Sequence, residues 1–256
     1  GAGIIGAALG GLAAGWLVPR LFQLFVRSGF PATTVNIAAG ALSGLAPGLL
    51  LFFAAGTYTS AAGDAVRHAL EWTVGLSPAA VGAVFGLAMW PLILKGWYHV
   101  AVLPLILIEM ERYGNSLIGA LDMAGLVMVS AGILLAQLAV PPNPGERRVV
   151  LKPLWLNVGF GTFIEASYVY MRKSRAVYAG AVVASGLAGA VVGGLHLRST
   201  AYVPSYLAVL FSNDAAGFLV AMLTGLLAAF IVGTCVNWAS RRTAPESGPS
   251  NRKGDM

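Results

Sequence analysis

The sequence has 256 residues, of which 57% are hydrophobic and 10% charged, with a mean hydropathy of +0.78 and a formal net charge of +6. Soluble domains average about 25% charged residues, so the composition excludes an ordinary soluble protein and predicts an all-α, polytopic integral membrane protein. The basic residues fall in short clusters between apolar runs, a positive-inside pattern that excludes a nucleic-acid surface, and one cysteine cannot build a disulfide framework.

Residues 2–25 form the first predicted span, in which Gly3, Ala7, Gly11 and Gly15 leave one helix face bare for close packing. The chain starts at Gly1 with no basic segment ahead of this run, so the run is not read as a signal peptide, and an N-terminal part is expected to precede it. Arg20, Arg27 and Pro31 close the segment on the cytoplasmic side. Residues 38–58 form the second span, kinked near Pro47. From Ser60 to Val74 the apolar positions line one face while Asp64 with His68 and Arg67 with Glu71 pair one turn apart, which predicts an amphipathic helix at the membrane interface.

Residues 79–112 are apolar but interrupted by P-L-I-L-K-G-W-Y-H-V, which places Lys95, Gly96 and His99 between Pro91 and Pro104. A charge and an imidazole at such a break predict a re-entrant, discontinuous segment. Lys95 either snorkels to the interface or faces the break, and His99 is either a ligand-contacting residue or a satisfied core histidine. Glu109, Glu111 and Arg112 read as interface charges. Residues 116–140 are the third span, carrying Asp122 near one end, where it either lines a pathway or is wet. Residues 141–152 form a basic, cytoplasmic linker.

Residues 153–175, P-L-W-L-N-V-G-F-G-T-F-I-E-A-S-Y-V-Y-M-R-K-S-R, hold a lone carboxylate, Glu165, inside an apolar run. An ionised carboxylate at mid-bilayer costs roughly 2.5 kcal/mol or more, so Glu165 reads as a functional group facing a cavity or pathway. Gly159 and Gly161 just before it suit a broken helix, and basic residues on both flanks predict a second re-entrant segment that enters and leaves on one face. Residues 176–196 and 216–238 are the last two spans, the latter holding Cys235 as a buried structural thiol. A more polar, external connection at 197–215 joins them. Residues 240–256 form a basic, disordered cytoplasmic tail.

The expectation is therefore about five full spans, two re-entrant segments and one interfacial helix. It divides into scaffold residues 1–75, a transport region at 76–239 and the tail at 240–256. Segments dipping from opposite faces bring His99 and Glu165 together at the midplane, as in alternating-access carriers. No Walker loop, dinucleotide fingerprint or metal-ligand cluster occurs, which excludes ATP-driven transport on this chain, and no cofactor or metal is predicted.

Two motifs resemble the membrane-embedded IIC component of the bacterial sugar phosphotransferase system, in its glucose, glucoside and sucrose branch. G-W-Y-H-V-A-V-L-P keeps the histidine and proline of the family's G-[LIF]-H-W-G-L-V-P as His99 and Pro104, and F-G-T-F-I-E-A keeps Phe160, Gly161 and Glu165 of F-G-I-T-E-P with the acid one position later. The departures are Ile164 for threonine, Ala166 for proline and Val100 for tryptophan. The opening glycine-rich run resembles a mid-domain span, so the chain is expected to lack the first spans of a complete domain. The resemblance implies a non-phosphorylated membrane subunit that binds a sugar through His99, Glu165, Gly161 and Trp97, with no catalytic residue of its own. It further implies separate IIB and IIA phosphocarriers, a lipid-embedded homodimer, and a bacterial cytoplasmic-membrane location with the C-terminus inside. Charge-assisted bonds from sugar hydroxyls to Glu165 would be about twice as strong as neutral ones. The competing readings are a proton-coupled secondary carrier and a transport-inactive sensor or remnant.

Overall fold

The structure is a computed structural model that describes residues 3–142, 145–162 and 164–243; side chains at a few helical positions, among them 164–166, lie outside the description. It is 86% helical, and no strand occurs among the described residues. In chain order the helices are α1 (Gly3–Arg27), α2 (Ala32–Leu50), α3 (Gly56–Leu76), α4 (Pro78–Leu94), α5 (Leu103–Tyr113), α6 (Leu117–Asp122), α7 (Met128–Ala139), α8 (Glu146–Phe160), α9 (Ile164–Lys173), α10 (Arg175–Gly194), α11 (Ser205–Leu210) and α12 (Ala215–Thr243). Single π-helical turns at Leu51–Ala55, Tyr98–Val102 and Met123–Val127 join α2 to α3, lead into α5 and join α6 to α7.

Among the described residues, five helical runs are long and apolar enough to cross a membrane: Ile5–Arg27, Ala32–Val66, Leu117–Ala139, Arg175–Gly194 and Ala215–Arg242. They coincide with the five predicted spans, and the chain is a multi-pass membrane protein. The chain divides into two compact units, Gly1–Ser77 with Gly96–Ser116, and Pro78–Lys95 with Leu117–Met256.

In the first unit α1 packs on α2, α3 and α5. Val35, Ala39 and Ser43 form the buried stripe of α2, whereas Leu12, Trp16, Leu24, Leu45 and Leu50 are exposed, as expected of helices whose outer faces are solvated by lipid tails. The second span and the amphipathic segment are not separate helices but one run from Ala32 to Leu76. Pro47 cannot donate its helical hydrogen bond, and the ladder widens into a π-turn directly after it instead of breaking. Asp64 lies 3.7 Å from Arg112, both well exposed; such a pair contributes about 0–1 kcal/mol. The Arg67–Glu71 pair lies outside the described residues. Glu109 is buried against protein and accepts a 2.5 Å hydrogen bond from the Ser116 hydroxyl.

The second unit is built around Leu117–Ala139, which is buried from Leu117 through Leu134. A helix apolar all round belongs at the centre of a bundle, and α10 and α12 pack against it. Against α10 lies α4, where Gly82 meets the Gly189 backbone, Gly86 the Ser185 backbone and Gly193 the Pro78 backbone so closely that a Cβ at any of the three would overlap a carbonyl. Small residues permit this approach, and dispersion across the contact holds the pair together. The Trp90 indole N–H, fully buried, donates to the Gly125 carbonyl at 3.1 Å within the π-turn. At the far end of α7, Asn237 donates to the Gln137 side-chain oxygen at 3.0 Å and the Arg241 Nε to the Pro141 carbonyl at 2.8 Å, while the Arg147 Nε donates to the Leu138 carbonyl at 3.0 Å, capping a carbonyl in the last turn.

Two expectations fail here. Half of the predicted linker at 141–152 is helical, because α8 begins at Glu146. Cys235 is exposed on α12, not buried. Within the 197–215 connection Leu197, Ser199, Ser205 and Ala208 are buried, Ser199 donates to the Ala208 carbonyl at 2.6 Å, and Asn213 ties His196 and Arg198 together at 3.0 and 2.7 Å. Residues 244–256 of the expected tail lie outside the described residues, and α12 continues to Thr243.

Candidate functional site: two broken helices

Both segments predicted to be discontinuous contain a break. In the first, Pro91 lies inside α4, and the helix ends at Leu94. Gly96 then adopts φ +76°, a conformation that a side chain would strain. The chain re-forms as the π-turn Tyr98–Val102, capped by Trp97, and Pro104 sits in the first turn of α5, where its missing N–H costs nothing. Within this turn Tyr98 is fully buried, while Trp97 is 63% exposed and His99 is exposed. The Tyr98 and His99 rings meet edge to face at 5.4 Å, so the imidazole is braced on one side and open on the other. Lys95 is exposed, which fits a snorkelling side chain.

The second break separates α8 from α9. Gly161 takes φ +68° as the left-handed cap of α8, and its amide donates to the Asn157 carbonyl at 2.9 Å. The Val203 carbonyl occupies the space that a Gly161 Cβ would need, so the 203–205 stretch rests directly on the break. Gly159, by contrast, lies in helical backbone with open space around it and takes no part in the break. Asn157, fully buried, turns its side-chain N–H onto the Thr162 carbonyl and so ties the last turn of α8 to the residue beyond the break. On α9, the Ser167 hydroxyl meets the Ser130 hydroxyl of α7 at 2.8 Å, both fully buried. Leu134, Val150, Leu138, Leu154 and Tyr170 pack α7, α8 and α9 into one apolar cluster. Glu165 lies in the first turn of α9, just past the break, and its side chain lies outside the described residues.

Gly161 and Glu165 therefore share one break, and Trp97 and His99 share the other. The first pair belongs to the second unit and the second pair to the first unit.

Sequence reasoning missed several polar groups beside the second break. Asn157 Oδ1 and the Ser205 hydroxyl are buried without a protein partner, an arrangement that costs about 1–3 kcal/mol per group unless a ligand or water completes it. The signal was present for Asn157, a lone amide in the same apolar run as Glu165, but an uncharged side chain draws less attention there. Asp122 is not wet: it is fully buried at the end of α6, against the Met123–Val127 π-turn. Its proximity to a helix end misled because that end lies in the middle of a buried run.

Two curated relatives are similar to the chain. The PTS system sucrose-specific EIIBC component of Vibrio alginolyticus is 24% identical over 235 residues, covering 90% of this chain. The PTS system sucrose-specific EIIBC component of Staphylococcus xylosus is 22% identical over 214 residues, covering 78% of it. The resemblance to the IIC component is borne out. The chain spans 48% and 44% of the lengths of these two relatives, about half of each. No family model matches the chain, and no solved structure matches it.

Proposed function

We propose that the chain is the sugar-translocating membrane component of a phosphoenolpyruvate-dependent phosphotransferase system, taking up a sugar of the glucoside or sucrose type. The observation that carries the reading is similarity over most of the chain to two proteins named as sucrose-specific phosphotransferase components. The broken helices supply its physical basis. Irregular backbone at membrane depth is tolerated where it lines a cavity, and paired discontinuous helices are where carriers hold substrate.

In this reading His99, Trp97, Glu165 and Gly161 are the sugar-contacting residues. The carboxylate accepts hydroxyl hydrogen bonds, the imidazole donates one and accepts another, and the indole stacks on a pyranose face. The sugar hydroxyl then attacks the phosphorus of a phosphocysteine on a separate IIB protein, breaking its P–S bond and releasing the thiolate, which a IIA phosphocarrier recharges. The protein acts as a homodimer in the bacterial cytoplasmic membrane, with the C-terminus inside. A second reading, a proton-coupled carrier, is favoured by Asp122, a carboxylate fully buried in a spanning run.

Radiolabelled sucrose uptake into vesicles separates the two. With IIA, IIB and phosphoenolpyruvate-charged general components the reading expects sugar phosphate inside, and Glu165→Gln should lower phosphorylation more than affinity, since a misplacement of about 1 Å can cost on the order of 100-fold. Free sugar accumulating under a proton gradient alone would overturn the phosphotransferase assignment.

A further inference from the structure

We infer that Asn157 and Ser205 are substrate-contact residues, their side-chain oxygens hydrogen-bonding hydroxyls of the sugar at the α8–α9 break; this rests on the sugar-carrier reading above. The Thr162 carbonyl can only accept, so the amide nitrogen of Asn157 must face it, and Oδ1 is the acceptor left over. That oxygen belongs to a side chain with no exposed surface, and among the described residues no group donates to it. The Ser205 hydroxyl, on a residue 3% exposed, is equally without a partner. The two residues flank one piece of irregular backbone: Asn157 holds it through Thr162, and Ser205 follows the Val203 carbonyl that presses on Gly161.

Buried polar groups are nearly always satisfied. Two orphans on either side of a break are the pattern of a site whose partner arrives with the ligand. Ser185 and Thr234 also carry buried oxygens without partners, but both sit inside the uninterrupted helices α10 and α12. Chemistry narrows the ligand. A neutral amide oxygen accepts, a hydroxyl accepts or donates, and neither offsets a charge. The pair therefore suits neutral hydroxyl groups and not a carboxylate, a phosphate or an ammonium. Because the same amide pins the break through its nitrogen, loss of Asn157 should disturb both contact and shape, whereas loss of the Ser205 hydroxyl removes contact alone.

The test is equilibrium binding of radiolabelled sucrose and of its monodeoxy analogues to the full chain in lipid nanodiscs, with thermal unfolding measured in parallel. Ser205→Ala should leave the unfolding midpoint unchanged or raised and weaken sucrose binding about two- to tenfold. One monodeoxy analogue should bind the Ser205→Ala variant and the unmutated chain equally, because the matched hydroxyl is already gone. Asn157→Ala should weaken binding at least as much and lower the midpoint. Unchanged sucrose affinity in Ser205→Ala, or an equal loss for sucrose and every analogue, would overturn the assignment. If the unmutated chain binds neither sucrose nor any analogue, the sugar-carrier reading fails, and this inference fails with it.

Discussion

Gly159 and Gly161 are two positions apart in sequence, yet alanine should have opposite effects at them. At Gly161 the backbone sits at φ +68°, where an L-residue is disfavoured by about 1–2 kcal/mol. The new Cβ would also occupy the position of the Val203 carbonyl, so one of the two segments must move, an overpacking cost of about 1–3 kcal/mol. Together Gly161→Ala should destabilise by roughly 2–5 kcal/mol. Gly159 is helical with nothing near its missing Cβ, so Gly159→Ala should be neutral or stabilise by about 0.5–1 kcal/mol, the ordinary helix preference of alanine over glycine. Thermal unfolding of the purified protein in detergent, followed by intrinsic tryptophan fluorescence, reads both. A Gly161→Ala midpoint equal to that of the unmutated protein would refute the left-handed cap and its contact with Val203.

Trp90→Phe should keep most of the packing but leave the Gly125 carbonyl without its 3.1 Å donor, lowering stability by about 1–3 kcal/mol in the same assay. Under the sugar-carrier reading, His99→Ala should weaken sugar binding by roughly 0.5–3 kcal/mol without preventing membrane insertion, and unchanged affinity in the purified variant would return His99 to the status of a packing residue. Cysteines placed by Ser174→Cys and Ser240→Cys in a Cys235→Ser background should resist an impermeant thiol reagent in intact cells; labelling at position 174 from outside would sink the inward-facing orientation of the second break.

The spans were legible because each is a run of about 20 or more residues of one character, long enough to reveal itself without knowledge of its neighbours. What joins them was less legible. The continuity of α2 with α3 depends on how the chain around Pro47 relaxes, and a π-turn keeps helical hydrogen bonding where a proline alone predicts a kink. The inward folding of residues 197–215 depends on the Ser199–Ala208 and Asn213 hydrogen bonds, which link positions whose polar side chains look, in sequence, like those of any exposed loop.

At the candidate site, charge and glycine were readable, and neutral polarity was not. Glu165 and His99 stand out because an ionisable group in an apolar run demands a reason, and Gly161 and Gly96 stand out beside them. Asn157, Ser130, Ser167 and Ser205 carry no charge, and each is individually cheap to place in a helix that can turn it toward a neighbour. Only the folded arrangement separates those that found a protein partner, such as Ser130 with Ser167, from those that did not. That distinction matters more for function than the charges do. A satisfied hydroxyl pair fixes α9 to α7, whereas under the sugar-carrier reading an unsatisfied amide oxygen beside a broken helix acts as a binding group held in place in advance, so little of a ligand's binding free energy is spent on ordering it. The second break is thus both anchored, through Ser130–Ser167 and the Thr162 tie, and left with open acceptors, the combination a carrier needs if its substrate site must keep its shape while the surrounding protein moves.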